Sequence, residues 1–351
     1  MVLMLVQFQT VHASMPITFD SSNMDDCMPP SDCSTLSWSH SVGPGSNPIL
    51  IVSLSHLGIR TEATSVTFAG HSLSFVGDAE DFNLYVELWS LLDPPSGTGT
   101  ITASYSSGAD YLAGGSVSYF NVAGTRTPAS AIGYGTSISV NVASSPYDLV
   151  VDSLCLCGND PGPVSPTSPQ TDWFNSGTLS YDDYFDFVGA GSDKPASSPT
   201  TSMTWSWPTS ASEALVAVPL IPAAATVTSV NCLASMLNVG SSTTCTATVS
   251  GTSGTILGEI ISWSDAGSVS FSPSNTCLLS GTSCSITVTG TGVGSASVKA
   301  SYPGDSTNAP SQGTFPITIS AAPIPEYPLG IQLLAIFMII GHAVIKRRTK
   351  S

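Results

Sequence analysis

From about residue 37 to residue 222 the chain runs as short apolar or alternating stretches separated by turn residues, with no amphipathic helix between them. The pattern predicts strands at 37–42, 48–55, 65–68, 84–92, 99–105, 115–120, 136–142, 148–157, 185–190, 203–207 and 214–220. So many short strands call for two packed sheets or a jelly roll. The proline-rich stretch 158–171 reads as loop. A break falls at Ile221-Pro222-Ala223-Ala224-Ala225, and residues 226–320 then hold about seven strands, the length and strand number of an immunoglobulin-like sandwich. Trp263, on a strand at 260–263, is its candidate core residue.

Both ends carry targeting patterns. Residues 1–13 form a short apolar run ending in a small residue, which resembles a secretory signal without its basic start. Residues 329–345 are apolar except for Gln332 and His342 and are followed by a basic tail at 346–351. At about 1.5 Å per residue this segment reaches the lower limit for crossing a bilayer. The basic cluster would stay cytoplasmic, leaving everything before Pro328 outside. Residues 321–328 are a proline-stiffened spacer ahead of it.

Composition sharpens this picture. Charged residues make up only 9% of the 351, and 24 acidic against 8 basic residues give a formal net charge of −16. Half of the basic residues sit in the last few positions, so the predicted exterior is more acidic still. Such a field disfavours nucleic acid and anionic lipid, and leaves multivalent cations and neutral glycans as easier partners.

Eight cysteines in a chain that reads as secreted suggest disulfides. Cys277 and Cys284 flank a Gly-containing turn, as Cys232 and Cys245 flank the turn at Gly240, so each pair can close across a hairpin. Cys27 and Cys33 form a third close pair. Cys155 and Cys157 lie on one face of one strand and are poorly placed to bond each other, which leaves pairing with Cys27 and Cys33 as an alternative. Four thiolates could also hold zinc, although no zinc-ribbon spacing is present.

Signatures of catalysis are missing: there is no HExxH pair, Gly-x-Ser-x-Gly elbow, Walker A loop or dinucleotide fingerprint. His40, His56 and His71 could serve a hydrolase only if the fold brought them to carboxylates in a pocket. Acidic groups occur at Asp78, Glu80 and Asp81 and at Asp182, Asp183 and Asp186, and the second group is the candidate calcium site. Trp205 and Trp207 fall on one face of a strand, and together with Trp173 they are candidate stacking surfaces for sugar rings; packing between two sheets is the alternative.

Three resemblances add to this. The second module resembles the Ig-like repeat domains of bacterial and archaeal surface proteins, through Val230-Asn-Cys232, Thr243-Thr-Cys-Thr-Ala-Thr-Val249, the run from Cys277 to Val288, and Ala300-Ser-Tyr-Pro-Gly-Asp-Ser306. The resemblance implies a spacer or adhesion module without catalytic residues. The first module looks like an uncharacterised β-sandwich of secreted prokaryotic proteins, through Ser39-His-Ser-Val-Gly-Pro-Gly-Ser-Asn47, Val66-Thr-Phe-Ala-Gly70, the run from Val86 to Pro95, and Asp148-Leu-Val-Val-Asp152. The C-terminus is similar to archaeal sorting signals of the Pro-Glu-Phe type, with Pro325-Glu326-Tyr327-Pro328 as the motif and Tyr where Phe is usual. That similarity implies an archaeosortase-type processing enzyme as a partner, with a permanent anchor as the alternative.

The reading is therefore an all-β chain: a β-sandwich or jelly-roll-like domain at 14–222, an Ig-like β-sandwich at 226–320 and one C-terminal transmembrane helix. Its expected role is that of a non-enzymatic structural or adhesion protein at the cell surface, needing no cofactor beyond a candidate calcium ion. Its expected partners are the membrane and either envelope glycans or other surface proteins. The alternatives are a lectin-like module and a secreted hydrolase.

Overall fold

Two strands of the first module have almost no solvent-facing side. Ile49–Leu57 is buried at its first eight positions and Tyr111–Phe120 at its first nine. Strands that face solvent on one side alternate apolar and polar residues, whereas strands covered on both sides read as continuous apolar runs. The computed structural model, which describes residues 14–28, 33–58, 62–81, 83–180, 186–322 and 335–340, shows what covers them.

Three sheets stack where two were expected. The middle sheet orders Thr18–Cys27, Tyr111–Phe120, Ile49–Leu57, Leu84–Leu92 and Ser74–Asp81. On one face lies a four-stranded sheet of Cys33–Val42, Gly97–Ala109, Ser65–Phe68 and His71–Ser72. Leu50, Val52, Leu54 and Leu112 meet Leu36, Trp38, Phe68 and Ile101 there. On the other face lies a larger sheet whose inner strands are Thr200–Pro222, Leu149–Gly158 and Asp186–Pro195, with Thr171–Asn175 at one edge. Ile49, Ile51, Val86, Val117 and Tyr119 meet Val151, Phe187, Val216 and Val218 across that interface.

The larger sheet also turns a corner. Thr200–Pro222 pairs with Ala129–Ala143 along both of its halves, but the register breaks between Gly135 and Ser137, where the partner skips from Ala211 to Ser206. The first half then folds over the outer face of the second, enclosing Val140, Met203, Trp205, Trp207, Leu154 and Leu215 in another core. A corner of this kind lets one long strand supply two layers.

Residues after 226 form a separate two-sheet sandwich. Val227–Cys232, Ser242–Ser250, Ser283–Gly290 and Val269–Ser272 make one sheet; Met236–Asn238, Ser311–Ser320, Gly294–Tyr302, Ile260–Asp265 and Thr276–Leu278 make the other. The first strand contributes to one sheet and its short continuation pairs parallel to the last strand in the other, an arrangement of the immunoglobulin type. Trp263 is 2% exposed at the centre of this core, as expected, and its indole N–H points at Cys277 Sγ, 3.1 Å away.

Several expectations change. Thr18–Cys27, rich in Asp and Ser and without apolar alternation, is nevertheless a strand, at the edge of the middle sheet with Asp25 exposed. The predicted loop 158–171 contains a short strand, Ser165–Pro166, paired to Ser206 and Trp205. Among the described residues no helix is long and apolar enough to cross a membrane. Residues 335–340 are helical, while the rest of 329–345, residues 1–13 and Pro325, Glu326, Tyr327 and Pro328 lie outside the described residues.

Candidate functional site

The segment that reads as a break between modules is instead hydrogen-bonded on both sides. Ala223 N–H donates to Asn121 O at 2.8 Å, and its carbonyl accepts from Met15 N–H at 2.9 Å, both partners belonging to the first module. One residue on, Ala224 N–H donates to Thr307 O and its carbonyl accepts from Ala309 N–H, each at 2.9 Å, in a loop of the second module. Methyl side chains allow this approach: Ala223 is fully buried and Ala224 nearly so.

The receiving loop is itself fixed. Asp305 accepts from Tyr302 OH at 2.8 Å, Thr307 N–H at 2.7 Å and Asn308 N–H at 2.9 Å. Burial alone would raise its pKa, but these hydrogen bonds outweigh it and hold the carboxyl below its usual value. Asn308 is fully buried; its amide donates to Ser253 O at 3.0 Å and accepts from Ser253 N–H at 2.6 Å. From the first module, Asn47 Nδ2 donates to Asp305 O at 2.5 Å. A cavity of about 340 Å³ lies along this joint, lined in part by Ser14, Ala123, Ser253 and Thr307.

The histidines do not assemble a catalytic set. His40 is buried; its Nδ1 lies 3.0 Å from Ser116 Oγ and its Nε2 3.0 Å from Ser118 Oγ. Burial pushes the imidazole down to about 4 against the opposing pull of Asp20. Asp20 accepts from Ser118 Oγ at 2.8 Å, not from the ring, so no carboxylate orients the imidazole as a triad requires. His56 is stacked on Tyr85 and meets Tyr105 edge-on, both at 5.0 Å, inside the middle sheet. His71 sits at an exposed sheet edge.

The proposed glycan platform is corrected by burial. Trp205, Trp207 and Trp173 are 0%, 5% and 6% exposed, so none offers a ring face to a sugar. Trp205 Nε1 donates to Asp152 Oδ2 and Trp207 Nε1 to Gly135 O, each at 2.9 Å. Of the candidate calcium ligands, Asp182 and Asp183 lie outside the described residues, and Asp186 accepts from Asp160 N–H at 3.0 Å and from Ser180 Oγ. Among the described residues no three His, Cys, Asp or Glu side chains are gathered as a metal would need.

Cys232–Cys245 and Cys277–Cys284 are bonded as the spacing suggested, and Cys27 pairs with Cys33. Cys155 and Cys157 are therefore free thiols, which rules out their pairing with Cys27 and Cys33 and a site of four thiolates. What the sequence reading missed is a set of buried carboxyls: Glu87, Asp152 and Glu213 are each no more than 3% exposed. The available signal was an acid set inside an apolar run, as in Leu84-Tyr-Val-Glu-Leu-Trp89 and Leu149-Val-Val-Asp-Ser-Leu154.

No family model and no curated protein matches the chain. Among solved structures it is similar to the D0-D1 domain of intimin, at 12% identity and TM-score 0.21 over 54% of this chain and 98% of that one. It is also similar to the Yersinia pseudotuberculosis adhesin InvE, at 12% identity and TM-score 0.23 over 55% of this chain and 59% of that one. A putative membrane-anchored protein from Corynebacterium diphtheriae aligns at 12% identity and TM-score 0.18, over 89% and 59% respectively. Scores this low leave the assignment of fold to the strand topology itself.

Proposed function

We propose that this chain is a structural or adhesive cell-surface protein in which the stacked-sheet module is presented on the Ig-type module as one stiff unit. The observation that supports it best is the joint at Ala223 and Ala224, whose backbone is bonded into both modules at once. A flexible linker would leave those groups to water; here they fix one module against the other, which suits a stalk that holds a surface at a distance. Three disulfides and an acidic, sparsely charged composition accord with an extracellular setting. In this proposal segment 329–345 is the membrane anchor, and Pro325-Glu326-Tyr327-Pro328 is where a processing enzyme would act.

Spin labels placed on exposed positions of the two modules test the joint. A single narrow distance distribution is expected in the wild type, broadening when Asn308→Ala removes the amide that pins the receiving loop. A broad wild-type distribution would mean that the modules swing freely and would remove the support for a stiff stalk.

A further inference from the structure

Beneath the corner of the larger sheet lies a closed polar cluster that the stalk reading does not use. Ser192 is fully buried on Asp186–Pro195, Asp152 is fully buried on the neighbouring Leu149–Gly158, and Gln170, 8% exposed, precedes the edge strand Thr171–Asn175. Ser192 Oγ donates to Asp152 Oδ1 at 2.8 Å and accepts from Gln170 Nε2 at 2.8 Å. Gln170 Nε2 also approaches Asp152 Oδ2 at 3.4 Å, and Gln170 Oε1 accepts from Thr204 N–H at 2.7 Å. Trp205 Nε1 and Ser192 N–H complete the carboxyl's partners at 2.9 and 2.7 Å.

These are the parts of an acyl-transfer site: a hydroxyl, a base bonded to it, a carboxamide beside the hydroxyl and a backbone donor on the carbonyl oxygen. We propose that Ser192 and Gln170 join in an intramolecular ester, with Asp152 moving the proton. No outside substrate can reach a cluster this buried, so the chain itself is the substrate.

The step balances within the cluster. Ser192 Oγ lies 2.8 Å from the leaving nitrogen, which is bonded directly to the carbon under attack. As the Oγ–Cδ bond forms, Asp152 takes the hydroxyl proton, and negative charge on Oε1 is held by Thr204 N–H. The Cδ–Nε2 bond then breaks, and Asp152 returns the proton to the nitrogen, which departs as ammonia. Hydroxyl and carboxamide become ester and ammonia with no oxidant or co-reactant, and the carboxyl is regenerated. Burial pushes Asp152 up to about 7 against the hydrogen bonds of Ser192 and Trp205, a value suited to both halves of the transfer. The same burial shields the ester from hydrolysis. The product would bolt the edge strand Thr171–Asn175 to the interior of its sheet.

The test does not depend on the stalk reading. The full chain, made under oxidising conditions and held at about pH 8 so that Asp152 is ionised, is denatured, reduced and digested with chymotrypsin. Trp173 and Phe174 lie between Gln170 and Ser192, so unlinked residues separate into different peptides. The expected product is a joined species about 17 Da lighter than the two peptides together, one ammonia lost in acyl transfer, and opened by hydroxylamine. Ser192→Ala and Gln170→Ala should abolish it, and Asp152→Asn should slow its formation by about 10²-fold or more. Recovery of both residues from the wild type in separate peptides of unchanged mass overturns the proposal, as does a link that persists in Ser192→Ala.

Discussion

Glu87 Oε1 lies 3.7 Å from His56 Nε2, and neither side chain has any solvent exposure. That approach is too long for a hydrogen bond, and the carboxyl instead accepts from Trp89 Nε1 at 2.8 Å, Tyr105 OH at 2.9 Å and Ala63 N–H at 3.1 Å. Removing it strands three buried donors, and each unsatisfied group costs about 1–3 kcal/mol. Glu87→Ala should therefore destabilise the first module by about 3 kcal/mol or more in urea unfolding, and Glu87→Gln by less. Among the described residues the His56 ring nitrogens have no hydrogen-bond partner, and the ring acts through its stacking. His56→Phe is expected within about 1 kcal/mol of wild type in the same measurement.

Glycine at two core positions makes room for aromatic rings. A Cβ on Gly191 would stand 2.4 Å from Trp173 Cζ2, and one on Gly115 would stand 2.5 Å from Phe174 Cδ1. Overpacking of this kind costs about 1–3 kcal/mol, so Gly191→Ala and Gly115→Ala should each lower the thermal midpoint clearly. Adding Phe174→Leu to Gly115→Ala should recover part of the loss; no recovery would place the strain elsewhere.

Acid should favour the folded state of the first module through Glu213. Burial pushes this carboxyl up to about 7, against the hydrogen bond it accepts from Gly135 N–H at 2.9 Å. Between its unfolded value near 4.5 and its folded value near 7, the folded state holds a proton that the unfolded state has lost. Its contribution to stability is thus full at low pH and declines as pH rises through that window. Glu213→Gln, which keeps an acceptor for Gly135, should flatten the dependence of unfolding free energy on pH between about 4 and 7. An unchanged slope would show that Glu213 titrates normally. At the joint the sign is opposite: Asp305 sits below its usual value, so the stability it supplies is lost as pH falls through that depressed pKa.

Thiol chemistry should distinguish the two free cysteines. Burial raises the Cys155 thiol well above its ordinary value and pushes that of half-buried Cys157 up to about 11. Both thiols are thus protonated and poor nucleophiles near neutrality. The native, unreduced chain should react slowly with iodoacetamide, at Cys157 ahead of Cys155, while the denatured chain should show both thiols at once. Rapid labelling of Cys155 in the native state would contradict its burial.

Much of the fold was legible because burial leaves a mark on sequence. The runs at Ile49–Leu57 and Leu84–Leu92 read as strands at sight, and Trp263 reads as core. Their apolar residues fall at consecutive as well as alternate positions, which signals a sheet covered on both faces, although the count of strands alone suggests two layers. Trp205 and Trp207 show why site residues were harder. Alternation with Thr204 and Ser206 fits a half-exposed strand equally well, and only the fold-over near Pro208, set by pairing with residues distant in sequence, encloses the rings. Asp152 is illegible in the sequence for a related reason: what makes it unusual is supplied by Ser192, Gln170 and Trp205, none of them local to it.

The double-sided burial of the middle sheet also bears on how the chain must be made. The strands of the four-stranded sheet are interleaved in sequence with those of the middle sheet, so residues up to about 120 can close that first interface by themselves. The strands covering the other face all come later, from Val122 onward. A chain emerging from its amino end would therefore pass through a stage in which Ile49, Ile51, Val86, Val117 and Tyr119 form a bare, adhesive plane. Secretion of such a protein favours either delivery of the whole chain before folding or a companion that shields that plane until the last strand arrives.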